Sequence, residues 1–416
     1  MAAMSRRPPR AVMPTASART RAPEIRALSG IRGIPVLLIV LFHYHEWNGY
    51  PFEFWYDAIV AKGYLWVEFF FALSGFILFY VYGSQGAELL RARPLTRFLI
   101  TRLSRIYPLQ LATLLVILGI DVWDRTAAPH RPGASIFDVA GNPEMTVGTF
   151  LSNLALIQAW NIHDKLTWNS PAWFVSVEAF LYLAFPALLA LSGARFGGRP
   201  VVVGAASAAL LVILAVTSGM GMDLTHRNGV PRGLADFGIG LFLGALFVEI
   251  RRRGARWKPL PSSVHTLVQV AVVAELVAGF YSSGAPRTPR DLMIVVPMYL
   301  LIFLLAFDRG LIAEALRARW LRKLGEWSFA IYMVQFIVLI LLPFAGLRSI
   351  RWAEATVAVL GAAVAGGLAH RFIERPVGEL MRERLLSASA ASVTMGHAPS
   401  SGGAASPLDR RPHRRR

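Results

Sequence analysis

Apolar runs long enough to cross a bilayer recur along this chain with short polar joints between them, and no other property narrows its fold so far. Ten such runs lie at about 28–47, 64–82, 106–123, 172–192, 200–219, 234–250, 263–281, 291–307, 327–343 and 352–372. A helix needs roughly 20 apolar residues to cross about 30 Å of hydrocarbon, and lipid offers the backbone no hydrogen-bond partner, so each run is expected to be helical. The fold expected is all-α, a polytopic membrane helix bundle of about ten transmembrane helices. The joints leave no room for a folded extramembrane domain. Residues 1–26 read as a disordered Arg-rich cytoplasmic tail without the apolar core of a secretory signal, 27–380 as one membrane domain, and 381–416 as a disordered basic cytoplasmic tail with affinity for anionic membrane lipid. No internal repeat is evident.

The net charge of +18 would point to nucleic acid in a soluble protein. Here topology accounts for it, because base concentrates in alternate joints. Arg91, Arg93, Arg97, Arg102 and Arg105 follow the second run, Arg195 and Arg199 the fourth, Arg251 to Arg253, Arg256 and Lys258 the sixth, and Arg309, Arg317, Arg319, Arg322 and Lys323 the eighth. The opposite joints carry Glu46, Glu53, Asp57, Asp121, Asp124, Asp138, Glu144 and Asp164. Both termini are therefore expected in the cytoplasm, and no nucleic-acid partner is implied. Within the long outer joint of about 124–171, Phe150–Trp160 is apolar but too short to span, and is expected to cap the bundle as an interfacial or re-entrant segment. The absence of cysteine excludes disulfides, thiolate metal sites and an acyl-cysteine intermediate.

Ionisable groups inside membrane runs are costly and mark function. In LSGIRGIPVLLIVLFHYHEW, Arg32 and His43 are eleven residues apart, which at roughly 100° per residue returns to within about 20° of one direction. They share a face and stand on the order of 16 Å apart along the axis, so an anionic head at Arg32 would reach His43 with its tail. Glu178, in SPAWFVSVEAFLYLAFP, lies at a comparable depth and is expected to orient His43 as a general base. Arg102 and Arg105 share a helix face in FLITRLSRIYP; they are either ordinary topological charge or a bidentate clamp for phosphate. Glu68, Ser74, Trp173, Tyr332 and Gln335 are candidates for a substrate pocket, although packing explains Ser74 with Gly75, and Tyr332 with Gln335, equally well. Glu374 and Arg375 are expected as an ion pair at a helix end stopped by Pro376. No metal is implied.

Taken together, the Arg32/His43 spacing, EFFFALSGF, RLSRIYP, PAWFVSVEAFLYLAFP, ADFGIGLFLG, LGEWSFAIYMVQF and RFIERP resemble the membrane acyltransferase-3 family in order from the first run to the tenth. The resemblance implies a multi-pass O-acyltransferase of the bacterial cytoplasmic (inner) membrane, in stand-alone form without an appended esterase-like domain, with 27–380 as the acyltransferase domain. It implies acyl-CoA, most simply acetyl-CoA, as a co-substrate rather than a permanently bound cofactor, and a glycan or lipid-linked sugar as acceptor. Arg32, Arg102 and Arg105 would bind the donor; His43 would be catalytic, with Glu178 beside it. Two departures stand out. Ser29 replaces the family's usual Asp and is expected to act as an equivalent helix cap, and Gln335 replaces a usual His, removing a titratable group. The rival classes are a transporter or flippase, whose inverted repeats and broken helices are not found, and a structural partner in polysaccharide assembly, which leaves the Arg32/His43 spacing unexplained.

Overall fold

The computed structural model describes residues 22–47, 57–127, 137, 143–254, 260–346 and 351–395. The tail up to residue 21, Glu53, Asp138, Arg256, Lys258 and residues 396–416 lie outside them. Among the described residues the chain is all-α, and its only strand-like feature is one isolated bridge, Glu144 to Thr167.

The first run forms α1 (Arg26–Ile31) and α2 (Gly33–Trp47). The helical ladder breaks at Arg32 because Pro35, having no N–H, cannot bond to Ile31; Arg32 nonetheless keeps φ −57° and ψ −27°, so the phase along the rod survives. There follow α3 (Trp66–Tyr82), α4 (Ala92–Ala127), α5 (Val147–Leu154), α6 (Trp173–Ser192), α7 (Gly198–Thr217), α8 (Gly229–Arg253), α9 (Ser262–Ser282), α10 (Leu292–Leu305), α11 (Arg319–Leu341), α12 (Arg351–Ala369) and α13 (Arg375–Met395). Nine helices among the described residues are long and apolar enough to cross a membrane. The run at 291–307 becomes α10, only 14 residues, preceded by a 3-10 turn at Pro289–Asp291. At about 1.5 Å per residue α10 spans about 21 Å, less than the hydrocarbon thickness.

Three boundaries differ from the sequence reading. α4 begins at Ala92 rather than 106 and runs 36 residues through Pro108, so the arginines of 93–105 sit on a helix that projects past the apolar layer, not in a loop. Pro376 does not end the tenth run: a π-helical turn at His370–Glu374 takes up its missing hydrogen bond, and α13 continues to Met395, making residues 381–395 helical. There Glu374 bonds His370 at 2.9 Å and Arg375 pairs with Glu379 at 3.3 Å, so the expected Glu374/Arg375 pair does not form.

Close helix crossings position the site. A Cβ at Gly75 of α3 would stand 2.2 Å from the Phe237 carbonyl oxygen of α8, and one at Gly240 of α8 would stand 2.0 Å from that of Ala72. Only glycine permits backbones this near. At the other crossing, a Cβ at Gly325 of α11 would stand 1.8 Å from the Ser29 carbonyl oxygen, drawing α1 onto α11. α3, α8 and α11 are buried over most of their surface, whereas α7 and α9 are buried over a third or less and form the lipid-facing margin. Phe150–Trp160 is split between the end of α5 and an irregular stretch whose polar backbone is satisfied by α6: Ala159 N–H donates to Ser176 Oγ at 3.1 Å, and that hydroxyl donates to the Leu156 carbonyl at 2.8 Å.

Candidate active site

Two cavities lie in line through the bundle. The first, about 270 Å³, is at the arginine end and is lined by Arg32, Arg102, Arg105, Glu178 and Tyr182, with Ser29, Ser74, Ser328 and Tyr332. Arg32 enters from the α1/α2 break, the other two arginines from the first half of α4 and the acid from α6. The Arg102 guanidinium lies over Tyr82, 5.2 Å from its centroid, and 6.0 Å from that of Phe98. Such stacking holds a guanidinium in place and leaves its edge for a ligand. None of the three arginines is ion-paired to a carboxylate among the described residues; of the two acids that line the cavity, Glu178 accepts from Tyr182 at 2.6 Å and Glu24 stands 3.8 Å from Arg322. Three guanidiniums against two carboxylates, one of them facing Arg322, leave uncompensated positive charge, the condition for holding an anion. Ser29 is not a cap: α1 starts after Ile25, and Ser29 sits within the helix with its hydroxyl toward the Ile25 carbonyl and its flank on this cavity.

The second cavity, about 400 Å³, contains His43 with Glu46, Trp47, Tyr64, Trp173, Asp223, Arg232 and Tyr332. Leu166, Ser170 and Pro171, from the end of the long joint between α4 and α6, also line it. His43 Nδ1 stands 3.1 Å from Gln335 Oε1, and Gln335 Nε2 donates to the Tyr332 carbonyl at 3.0 Å. The second bond fixes which way the amide points. Its oxygen therefore faces the ring, so Nδ1 carries the proton and Nε2 keeps a lone pair. Trp47 stacks on the imidazole at 4.4 Å and 15° and holds its plane.

Two expected site residues are placed elsewhere. Glu178 does not reach His43: depth along α6 matched, but the side chain projects into the arginine cavity, and the orienting partner of the imidazole is Gln335. Glu68 lines neither cavity; it is fully buried in a two-point pair with Arg232, Nε to Oε1 at 2.9 Å and Nη2 to Oε2 at 2.7 Å. Arg232 also donates to the carbonyls of Leu224 and Tyr64 and lies 5.3 Å from the Trp173 centroid. Trp173 lines the histidine cavity, Ser74 the arginine cavity, and Tyr332 both.

Sequence reasoning passed over four contributors. Arg232, six residues before the apolar stretch of α8 gathers pace at Gly238, was the one with a visible signal, a basic residue entering a membrane run. Tyr182 was indistinguishable from packing aromatics. Asp223 and Arg287 come from joints, where Arg287 bridges Asp223 at 2.8 Å and Glu46. That clasp joins the α9–α10 joint to the rim of the histidine cavity.

An acyltransferase domain model matches residues 25–370. The chain is 29% identical to "Acyltransferase MdmB" of Streptomyces mycarofaciens over 91% of its own length and 98% of that protein's. It is 25% identical to "Putative peptidoglycan O-acetyltransferase YrhL" of Bacillus subtilis (strain 168), over 85% of this chain and 55% of the relative. A third relative, "Protein 2 in picA locus" of Rhizobium radiobacter, is 28% identical over 45% of this chain and 92% of its own. No solved structure matches. Arginines and a histidine in two aligned cavities of a helical membrane bundle, together with the family match over residues 25–370, lead to one conclusion: this chain is a multi-pass membrane acyltransferase belonging to the acyltransferase-3 family.

Proposed function

We propose that this acyltransferase moves an acyl group, most simply acetyl, from acyl-CoA held at the arginine end to a hydroxyl of a glycan or lipid-linked sugar in the histidine cavity. The observation that carries the reading is the alignment of a cationic cavity and a histidine cavity that share Tyr332 as a common wall. Arg32, Arg102 and Arg105 take the nucleotide phosphates through bidentate contacts. The pantetheine arm runs along α2 past Ser74, bringing the thioester to the boundary of the two cavities. His43 Nε2, with Nδ1–H held by Gln335, accepts the proton of the acceptor hydroxyl as its oxygen attacks the thioester carbon. Collapse breaks the C–S bond, and the imidazolium returns the proton to the departing thiolate. The aromatic side chains Trp47, Tyr64 and Trp173 with the acids Glu46 and Asp223 suit a sugar ring and its hydroxyls. The printed name of the Bacillus relative, a peptidoglycan O-acetyltransferase, supports a glycan acceptor. The arginine distribution supports cytoplasmic termini in the bacterial inner membrane, with donor entering from the cytoplasm.

The test is purified protein in liposomes with labelled acetyl-CoA and, as acceptors, peptidoglycan fragments or lipid-linked sugars. His43→Ala is expected to retain donor binding and lose transfer by on the order of 10²- to 10⁴-fold. If the parent protein releases no CoA thiol in response to any acceptor while His43→Ala abolishes passage of a sugar across the vesicle, the groove belongs to a carrier.

A further inference from the structure

The reading above leaves the negative charge of the tetrahedral intermediate without a partner. When the acceptor oxygen bonds to the thioester carbon, the C=O π electrons move onto the carbonyl oxygen, and a donor must already be waiting there for the step to be fast. The arginines are committed to the phosphates at the far end. Arg232 is held by Glu68 and two backbone carbonyls.

We infer that Tyr332 Oη is that donor, which makes Tyr332 a second catalytic residue; the inference rests on the proposed transfer at His43. Among the described residues that line the cavities, Tyr332 belongs to both, at the point where the thioester must meet the acceptor. Its side chain is 5% exposed, and its hydroxyl has no hydrogen-bond partner. A buried phenol normally finds one, and a position that needed only a ring to fill space would be better served by phenylalanine. The ring is fixed against Phe174, centroids 5.3 Å apart at 60°. Its backbone carbonyl accepts from Gln335, the same amide that holds His43 at 3.1 Å, so base and phenol share one anchor and their separation is set by one turn of α11. One turn the other way along the same face, Ser328 Oγ is likewise buried and unpartnered, in the arginine cavity. The inner face of α11 thus presents donors unsatisfied by protein along the path of the pantetheine arm, and Tyr332 is the one at its reacting end.

In the step so drawn the acceptor O–C bond forms, its proton passes to His43 Nε2, and the carbonyl oxygen becomes an oxyanion hydrogen-bonded by Tyr332. As the C=O re-forms, the C–S bond breaks and CoA thiolate takes the proton from the imidazolium. Products are the ester and CoA thiol, with Tyr332 unchanged.

Tyr332→Phe is expected to lower kcat by on the order of 10²- to 10³-fold, the usual effect of deleting one oxyanion donor, while acetyl-CoA binding and acceptor KM stay within about twofold. A kcat within about threefold of the parent overturns the inference. Should Tyr332→Phe fail to fold, fluorinated tyrosines placed at position 332 keep the shape and change only the donor strength of the phenol; kcat must then move with fluorination, and a constant kcat overturns the inference equally. Activity in Tyr332→Phe together with inactivity in His43→Ala removes the phenol's role and leaves the general-base reading intact. Full activity in His43→Ala removes the reading itself.

Discussion

Gln335→Leu isolates what the amide does for the imidazole. Leucine matches the volume of glutamine closely enough to keep the packing of α11, and it deletes both the 3.1 Å acceptor for His43 Nδ1–H and the 3.0 Å bond to the Tyr332 carbonyl. A buried N–H left without an acceptor costs about 1–3 kcal/mol. The imidazole escapes that cost by moving its proton to Nε2 or by turning the ring, and either change withdraws the lone pair from the reaction. At about 1.4 kcal/mol per factor of ten, the reactive form falls by roughly 5- to 150-fold, and kcat with it. Donor binding is untouched, because the arginine cavity does not include Gln335. The assay is single-turnover transfer from saturating acetyl-CoA, paired with 15N spectra of ring-labelled His43, which distinguish the two tautomers directly. Parent-like kcat in Gln335→Leu, or an Nε2–H tautomer already dominant in the parent, would refute the reasoning.

Arg102→Lys and Arg105→Lys retain charge but lose the forked donor, so each is expected to weaken equilibrium binding of acetyl-CoA by about tenfold, measured by titration calorimetry in detergent; unchanged affinity in both would return these residues to topological charge. Glu68→Gln leaves the guanidinium of Arg232 buried beside a neutral amide, and thermal unfolding should register a loss of about 3–5 kcal/mol, partly recovered in Glu68→Gln with Arg232→Met; an unchanged melting temperature in the single variant would show the pair to be dispensable. Gly240→Ala places a methyl 2.0 Å from the Ala72 carbonyl oxygen, so α3 and α8 must separate, and both melting temperature and transfer should fall; a thermally stable, active Gly240→Ala would contradict the crossing.

The bundle was legible in the chain because lipid imposes one rule on every crossing segment, and nine of the ten apolar runs obey it among the described residues, the run at 291–307 giving only the 14-residue α10. Periodicity also put Arg32 and His43 on one face, and both side chains project into the aligned cavities. What periodicity does not contain is azimuth between helices. Glu178 and His43 matched in depth, yet α6 turns its acid toward the arginines while α11 turns Gln335 toward the imidazole. Ser29 failed as a cap for a related reason: α1 starts at Arg26, directly after Ile25, ahead of the apolar run, so Ser29 already lies inside the helix. Glu68 was read as a pocket acid because its partner lies 164 residues away, a separation no local pattern records.

That separation has a bearing on how the protein is made. Glu68 enters the membrane on α3 long before Arg232 exists, and an unpaired arginine within a membrane helix costs up to about 2.5–3.5 kcal/mol to insert, the value at a helix centre. Each charge is neutralised only when α3 and α8 meet. At about 5–20 residues per second the ribosome takes roughly 8 to 33 s to synthesise the intervening 164 residues. For that interval the nascent chain carries an unneutralised acid at its future core, where membrane chaperones and proteases can find it. Arrested nascent chains of increasing length should therefore show Glu68 becoming inaccessible to carboxylate-modifying reagents only once Arg232 has left the insertion machinery, and protection in a shorter chain would mean that α3 settles without its partner.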